Sequence, residues 1–291
     1  MKERPLAATL DCHLHSSRSD GVLSPTDLVD LAAREGVRVM ALTDHDTLEG
    51  IAEARAAVAR HPGMRLIPGV ELSCDVPGTE VRMLGLFVDP EHAPLLTALE
   101  RMRRTRVSRG ERIVEALRGL GAPIEWARVR EIAGEASIGR PHIAAALIEA
   151  GHVANIDEAF ARYLGRNSPA YVERERLLPE DSIALIRDAG GLPIFAHPPF
   201  TDGYVPRAEA MAAAGLWGIE CYYRFYTPET VEALTALAAR LGLIASGGSD
   251  YHGAGRDHEV LPGGFEFPAR AAEAFLEATS AAGARIPEAA R

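Results

Sequence analysis

The chain has 291 residues, a formal net charge of −10 and three cysteines. This length and a hydrophobic share of 47% fit one large α/β domain, or one domain that carries an insertion. The wide spacing of the cysteines argues against a disulfide framework or a structural zinc site, and the acidic charge argues against a protein that coats long nucleic acid. We expect a cytoplasmic protein without a membrane helix, because no apolar run approaches the roughly 20 residues that a membrane span needs.

Short apolar runs alternate with amphipathic stretches along most of the chain. The runs predict strands at residues 8–11, 39–43, 65–71, 81–87, 192–196, 218–221 and 243–246. Helices are predicted between them at residues 25–35, 48–60, 179–188 and 228–241, with Ser24-Pro25 and Asp46-Thr47 as helix starts. This alternation predicts a mainly parallel sheet, and about seven strands favour a closed barrel.

The alternation stops between residues 92 and 167, where consecutive helices are predicted at 95–120, 125–133, 141–150 and 156–164. We therefore predict a barrel formed by residues 1–95 and 168–291 and a helical insertion domain at residues 96–167. From Arg101 to Arg140 there are ten arginines and five glutamates, a local net charge of +5. This excess predicts a local anion-binding surface, although a solvated helix face would give the same pattern.

Histidines and carboxylates follow the ends of five predicted strands. They are His13, His15, Asp20, His45, Glu71, His197, Asp250 and His252. Because the loops after the strands of a parallel barrel open on one face, we expect these side chains to converge. Imidazole and carboxylate groups without thiolate suit Zn, Mn or Fe(II). The sequence therefore predicts a metal cluster, in which Glu71 could bridge two ions.

Three carboxylates in these loops also have simpler interpretations. Asp20 precedes Gly21 and could be a turn residue only. Asp46 stands where a helix N-cap would be, which is the interpretation that we prefer for it. Asp44 could orient a histidine from behind rather than bind an ion.

These motifs closely resemble those of the PHP (polymerase and histidinol phosphatase) superfamily, within the wider amidohydrolase group. The resemblance is carried by His13-Leu14-His15, Asp20-Gly21, Thr43-Asp44-His45-Asp46, Glu71, His197-Pro198 and Ser249-Asp250-Tyr251-His252. It implies a distorted (β/α)7 barrel with up to three divalent metal ions. By motif position, one ion would be held by His13, His15, Glu71 and Asp250, a second by Asp20, His45 and His252, and a third by Glu71 and His197.

The same resemblance implies that His13, Glu71, His197 and Asp250 are essential for catalysis, and it assigns no general acid. One position departs from the family pattern, because Arg82 stands where a histidine ligand is usual. A guanidinium group has no lone pair for a metal ion. We therefore expect two or three ions, with Mn as the expected metal and Zn or Fe as alternatives, and Arg82 becomes a candidate phosphate contact.

Residues 137–143, Ser-Ile-Gly-Arg-Pro-His-Ile, resemble an element of one PHP subgroup. That subgroup includes nucleoside 3′,5′-bisphosphate phosphatases and a 5′-end RNA exonuclease, and it carries a helical insertion with arginines that match Arg106 and Arg109. Arg140 and His142 open a predicted helix, whose free N–H groups also favour an anion. The predicted substrate-binding residues are thus Arg82, Arg106, Arg109, Arg140 and His142. For Arg140 and His142, a plain helix cap is the alternative.

The ligand pattern predicts a metal-dependent phosphoesterase. The subgroup resemblance implies that it removes the 3′-phosphate of nucleoside 3′,5′-bisphosphates, with short oligoribonucleotides cut from the 5′ end as further substrates. No long nucleic acid, membrane or obligate protein partner is expected. Four alternatives remain at this stage: a histidinol phosphate phosphatase, a nuclease associated with a polymerase, a metal-binding regulator without turnover, and an amidase or lactonase.

Overall fold

The computed structural model describes residues 9–76, 78–134, 136–173, 177–253 and 260–284. Within these ranges, seven strands form one sheet in chain order. They are β1 (Leu10–Asp11), β2 (Val39–Leu42), β3 (Arg65–Val76), β4 (Thr79–Leu86), β5 (Leu192–Phe195), β6 (Gly218–Tyr223) and β7 (Ile244–Gly248). The first and last strands meet, since the Cys12 amide donates to the Gly247 carbonyl at 3.0 Å and the Asp250 amide to His13 at 2.8 Å. The distorted barrel expected from the sequence is therefore confirmed.

One strand runs against the predicted parallel direction. β4 is antiparallel to both of its neighbours, β3 and β5. A hairpin joins β3 to β4, and its turn includes Gly78 with φ 87°. Because β4 is reversed, its first residues lie at the end of the barrel where the other strands finish, and Arg82 pairs with Ser73 of β3. The reversal thus brings Glu80 and Arg82 to the barrel mouth.

Ten helices are described in these ranges. They are α1 (Pro25–Arg34), α2 (Ile51–Val58), α3 (Ala93–Gly119), α4 (Trp126–Ala133), α5 (Arg140–Glu149), α6 (Ile156–Ala159), α7 (Pro179–Asp188), α8 (Tyr204–Ala213), α9 (Pro228–Leu241) and α10 (Ala269–Ala281). A π-helical turn, Phe160–Leu164, continues α6. The sequence analysis did not predict α8 or α10, both of which are rich in alanine. None of the described helices is both long and apolar enough to span a bilayer.

The two predicted helix starts have different outcomes. Ser24 caps α1, because its hydroxyl accepts a hydrogen bond from the Asp27 amide at 3.1 Å. The cap assigned to Asp46 is wrong, since α2 begins at Ile51 and Asp46 has φ 52°. Its carboxylate instead accepts from the Ser73 amide at 3.0 Å and from the Arg106 guanidinium at 2.6 Å. Asp46 therefore ties the barrel to α3.

The long helix α3 links two hydrophobic cores. Leu95 and Leu99, near its start, pack in the main barrel core. Ile113 and Leu117, near its end, belong to a second core that α3, α4, α5 and the Phe160–Leu164 turn share. At about 1.5 Å per residue a helix of this kind holds its two ends at a fixed separation. The shared helix does not test the domain boundaries at residues 96 and 167, which stay a prediction.

Candidate metal centre

All eight predicted metal ligands lie at the mouth of the barrel, where the strands end. His13 and His15 follow β1 and are fully buried, and Glu71 on β3 is 1% exposed. His197 and Asp250, after β5 and β7, have left-handed backbone angles with φ 28° and 50°. Such angles cost free energy in non-glycine residues and persist where surrounding contacts enforce them. The local backbone is thus strained at two of the positions that turn side chains toward the centre.

The ligand atoms form three overlapping groups, each within 4.8 Å. The groups are His15, Asp20, His45 and His252; His13, Glu71 and His197; and His13, His15 and Asp250. The first matches the predicted second ion but adds His15, and the second adds His13 to the predicted pair of Glu71 and His197. Each group offers at least three ligand atoms without the histidine that Arg82 replaces.

Buried polar atoms at the centre lie close together without the geometry of hydrogen bonds. His15 Nε2 lies 3.1 Å from Asp250 Oδ1 and 3.5 Å from Glu71 Oε2. Neither His15 Nε2 nor His13 Nε2 nor Glu71 Oε2 has a hydrogen-bond partner among the described residues. Imidazole lone pairs and carboxylate oxygens at such distances repel unless a proton or a cation lies between them. The side chains present therefore fit divalent metal ions.

Glu220, in the middle of β6, is a functional candidate that sequence reasoning missed. Its Oε1 lies 3.0 Å from His13 Nδ1, and its Oε2 accepts from the His197 amide at 2.7 Å. We assign the proton of His13 to Nδ1 from this contact, which leaves Nε2 to face Asp250 and Glu71. The available signal in the sequence was a carboxylate inside an otherwise apolar predicted strand, and the structure shows that this carboxylate is fully buried.

Other carboxylates near the centre hold the loops together. Asp11 accepts hydrogen bonds from the amides of His13, Ser249 and Gly263. The possible role of Asp44 in orienting a histidine is replaced by another, because its carboxylate accepts hydrogen bonds from Ser16 and Ser19. Burial raises the pKa of Asp44 to about 6. These two aspartates therefore organise backbone and hydroxyl groups behind the ligands.

Tyr223 and Arg224, at the end of β6, contact the outer oxygen of Asp250. The Tyr223 hydroxyl donates to Asp250 Oδ2 at 2.7 Å, and an Arg224 nitrogen lies 3.7 Å from the same atom. The other oxygen, Oδ1, faces His13 and His15. The two Asp250 oxygens thus have separate surroundings, one toward the ligand cluster and one toward a supporting tyrosine and arginine.

Histidines and carboxylates at the centre shift one another's proton affinity. Burial by itself lowers the pKa of His13, but the charges of Asp250, Glu220 and Glu71 outweigh it and raise that pKa well above its ordinary value. Burial, reinforced by His252, lowers the pKa of His15 to about 3. Burial works against the charged forms of Glu71 and Asp250, yet the facing histidines hold the pKa of both carboxyls well below the usual range. The metal-free centre therefore holds protons on some histidines and not on others.

Three of the predicted substrate-binding arginines line a cavity of about 200 Å³ that the metal cluster shares. Arg82, Arg106 and Arg140 stand on its wall with Phe160, opposite His45, His197 and Asp250. Arg106 is nevertheless 6% exposed and bonded to Asp46 and Ser73. Its guanidinium therefore serves chiefly to join α3 to the barrel.

The other two predicted substrate residues do not line this cavity. Arg109 is 5% exposed and donates from Nε to the Val172 carbonyl at 2.6 Å. His142 accepts a hydrogen bond from the Gly139 amide at 2.9 Å and thereby caps α5, while burial lowers its pKa. His142 thus acts as a helix cap, which was the alternative interpretation of this residue. Neither Arg109 nor His142 is among the residues that line the shared cavity.

Comparison with known proteins agrees with this geometry. The PHP domain family matches residues 11–118. A 5′-3′ exoribonuclease of Haemophilus influenzae is 37% identical, and the match covers 83% of this chain and 89% of that protein. A 3′,5′-nucleoside bisphosphate phosphatase of Chromobacterium violaceum is 35% identical over 85% of this chain and 88% of its own length.

A solved structure from Bifidobacterium adolescentis, described as a metal-dependent phosphoesterase, superposes with a TM-score of 0.83. It is 32% identical, and the match covers 94% of this chain and 97% of that one. Relatives of this identity match nearly the whole chain, and the ligand groups of the family meet here at the barrel mouth. The chain therefore belongs to the PHP family and is a metal-dependent phosphoesterase, a hydrolase of phosphoric ester bonds.

Proposed function

We propose that this enzyme removes the 3′-phosphate of nucleoside 3′,5′-bisphosphates. The observation that carries the proposal is the shared cavity, in which the ligand cluster faces Arg82 and Arg140. A substrate with two phosphates can place one at the metal ions and the other at the arginines. The relative named as a 3′,5′-nucleoside bisphosphate phosphatase supports the same substrate class.

In this proposal the eight candidate ligands hold two or three Mn ions. They are His13, His15, Asp20, His45, Glu71, His197, Asp250 and His252. Bound divalent ions would lower the pKa of water and neutralise charge on the reacting phosphate. Glu220 holds the proton of His13 on Nδ1 so that Nε2 points into the cluster. The proposed catalytic residues are His13, Glu71, His197 and Asp250, because each belongs to a candidate ligand group.

The arginines supply the second contact with the substrate. Arg140 stacks on Phe160 with its guanidinium carbon 5.3 Å from the ring centre, which orients its nitrogen atoms. Arg82 stands beside it at the barrel mouth. A guanidinium group binds phosphate oxygens through paired N–H donors. This grip would favour bisphosphates over nucleoside monophosphates.

Short oligoribonucleotides are a second proposed substrate class. The relative from Haemophilus influenzae is named as a 5′-3′ exoribonuclease. A 5′-phosphate at the arginines would place the next phosphodiester at the metal ions, which is the same two-phosphate spacing. The cavity of about 200 Å³ holds the equivalent of a nucleotide fragment rather than a long strand.

A phosphate-release screen tests the proposal. Protein supplied with Mn is assayed with adenosine 3′,5′-bisphosphate, adenosine 3′-monophosphate, a short 5′-phosphorylated RNA and histidinol phosphate. We expect kcat/KM for the bisphosphate to exceed that for the monophosphate by about tenfold or more, because one good ionic contact is worth roughly 1.5–3 kcal/mol. Elemental analysis of the same sample identifies and counts the ions. Faster release from histidinol phosphate than from both nucleotides would refute the substrate assignment.

A further inference from the structure

Glu80 lies between the two arginines of the shared cavity. Its Oε1 and Oε2 accept from Arg140 Nη2 at 2.9 and 3.0 Å, and its Oε2 also accepts from Arg82 at 3.1 Å. The Glu80 side chain is 23% exposed, and each arginine side chain is 12% exposed. A carboxylate therefore already engages N–H donors of Arg82 and Arg140, the two arginines that line the cavity.

The orientation of Arg140 does not depend on this carboxylate alone. Arg140 Nη1 donates to the Leu164 carbonyl at 3.2 Å. Its guanidinium carbon also lies 5.3 Å from the centre of the Phe160 ring and 5.9 Å from that of Tyr171. Two rings and a carbonyl thus fix the guanidinium plane. Glu80 adds a negative charge to a group that is already positioned.

The Glu80 pairing differs from that of the third arginine on the wall. The side chains of Arg106 and Asp46 are 5% and 1% exposed. Asp46 also accepts from the Ser73 amide, and Arg106 donates to the Ser73 hydroxyl. Breaking such a buried pair would leave charges without water. Glu80 reaches solvent, so its carboxylate can leave the arginines and be hydrated at small cost.

The backbone of Glu80 is held independently of its side chain. The Glu80 carbonyl accepts a hydrogen bond from the Thr201 hydroxyl at 2.9 Å, and the backbone of Glu80 pairs with that of Asp75 in the β3–β4 ladder. A change of side-chain rotamer can therefore move the carboxylate away from the two arginines without moving β4. The reversed direction of β4 is what places this residue at the mouth.

We propose that Glu80 is an internal counter-ion that competes with the substrate's second phosphate for the N–H donors of Arg82 and Arg140 and so sets the affinity of that subsite. The inference rests on the proposed function for the identity of the anion. A phosphate dianion carries more charge and more acceptor oxygens than a carboxylate, so it displaces Glu80. A weaker anion, such as a carboxylate or a monoanion, displaces it less completely at the same concentration. Because Glu80 competes with every anion for the same donors, it lowers the affinity of this subsite for all of them.

The test compares the wild-type enzyme with Glu80→Gln, which keeps the size and one acceptor oxygen of the side chain but removes its charge. Glu100→Gln is the matched control, because Glu100 also pairs with an arginine, Arg104, but lies away from the shared cavity. The first readout is calorimetric binding of inorganic sulfate to metal-depleted protein. We expect Glu80→Gln to bind sulfate about tenfold more tightly than the wild type, whereas Glu100→Gln binds like the wild type.

The second readout is turnover of adenosine 3′,5′-bisphosphate with Mn. We expect a KM about tenfold lower in Glu80→Gln, and Arg140→Ala should raise it. Unchanged or weaker sulfate binding by Glu80→Gln overturns the proposal, since Glu80 would then only hold the arginines in place. A different result separates this proposal from the proposed function. If Glu80→Gln binds sulfate more tightly but the wild type does not hydrolyse the bisphosphate, Glu80 is a counter-ion and the proposed substrate is wrong. Glu80→Ala, checked by thermal unfolding, repeats the binding test if the glutamine variant does not fold.

Discussion

At the scale of single residues, the side chains behind the ligands decide how the ligands face the cavity. Glu220 contacts two of them, His13 through the ring at 3.0 Å and His197 through its backbone amide at 2.7 Å. Tyr223 likewise occupies the outer oxygen of Asp250. Partners of this kind commonly change metal affinity by roughly 10–100-fold when removed, because they fix both the tautomer and the direction of the ligand.

We therefore predict that Glu220→Gln weakens Mn binding by about 10–100-fold while the protein stays folded. The neutral amide can still meet His13 Nδ1, but it no longer favours the tautomer that leaves Nε2 free for an ion. Titration calorimetry of metal-depleted protein measures the affinity, and Glu229→Gln, on the exposed first turn of α9, serves as control. Wild-type affinity in Glu220→Gln would show that the contact is only structural.

At the scale of elements, closure of the barrel between β7 and β1 brings the first and last motifs together. A Cβ atom on Gly248 would lie 2.3 Å from the Cβ of His13 and 2.8 Å from its amide nitrogen. Because real Cβ atoms do not approach other atoms so closely, β7 can pass the His13 backbone only if residue 248 has no side chain. The glycine is thus a geometric requirement for the His13–Asp250 contact of 3.3 Å.

Gly248→Ala should consequently separate β7 from β1 and destabilise the protein by about 1–3 kcal/mol or more. We also expect it to lose Mn affinity, because His13 and Asp250 move apart. Thermal unfolding and metal titration give the two readouts. Gly119→Ala, at the end of α3 where no atom lies within 4 Å of the added Cβ, should be neutral or slightly stabilising. Equal effects of the two substitutions would contradict the steric argument.

At the scale of the whole molecule, the metal ions should contribute to stability, because the ligands come from segments that are far apart in the chain. A ligand that binds only the folded state stabilises it by RT ln(1 + [L]/Kd), about 2.7 kcal/mol at a hundred times Kd. For a chain of this size that free energy corresponds to a rise in Tm of roughly 5–10 °C. Chelation should remove it.

This stabilisation should grow with pH. Although burial lowers the pKa of His13, the facing carboxylates raise it well above the ordinary value in the metal-free protein. The protonated form therefore stabilises the metal-free fold below the ordinary histidine pKa, and that contribution disappears as pH rises through the raised pKa. Because Mn must displace this proton, the rise in Tm on adding Mn should be larger at about pH 8 than at about pH 5.5. Thermal scans with Mn and with chelator measure the difference, and an equal rise at both values would contradict the role of His13.

The sequence alone determined the positions of the strands, the barrel and the set of side chains at its mouth. This was achievable because apolar runs report buried strands locally, and because parallel strands deliver their following residues to one face. The strands were placed to within a few residues, except for the length of β3 and the direction of β4. Residue 8, at the start of the first predicted strand, lies outside the described residues.

Only the tertiary structure decided which candidate ligands lie together, which side chains support them and which carboxylates pair with the arginines of the cavity. Asp46, read as a helix cap, joins Arg106 of a helix 60 residues away in the chain, and Glu220 meets His13 across 207 residues. Glu80 reaches Arg140 of α5 only because β4 runs backwards. Such pairings depend on distances and directions between remote segments, which local periodicity does not encode. Composition and spacing determine what chemistry the chain carries, and three-dimensional packing determines which atoms carry it out.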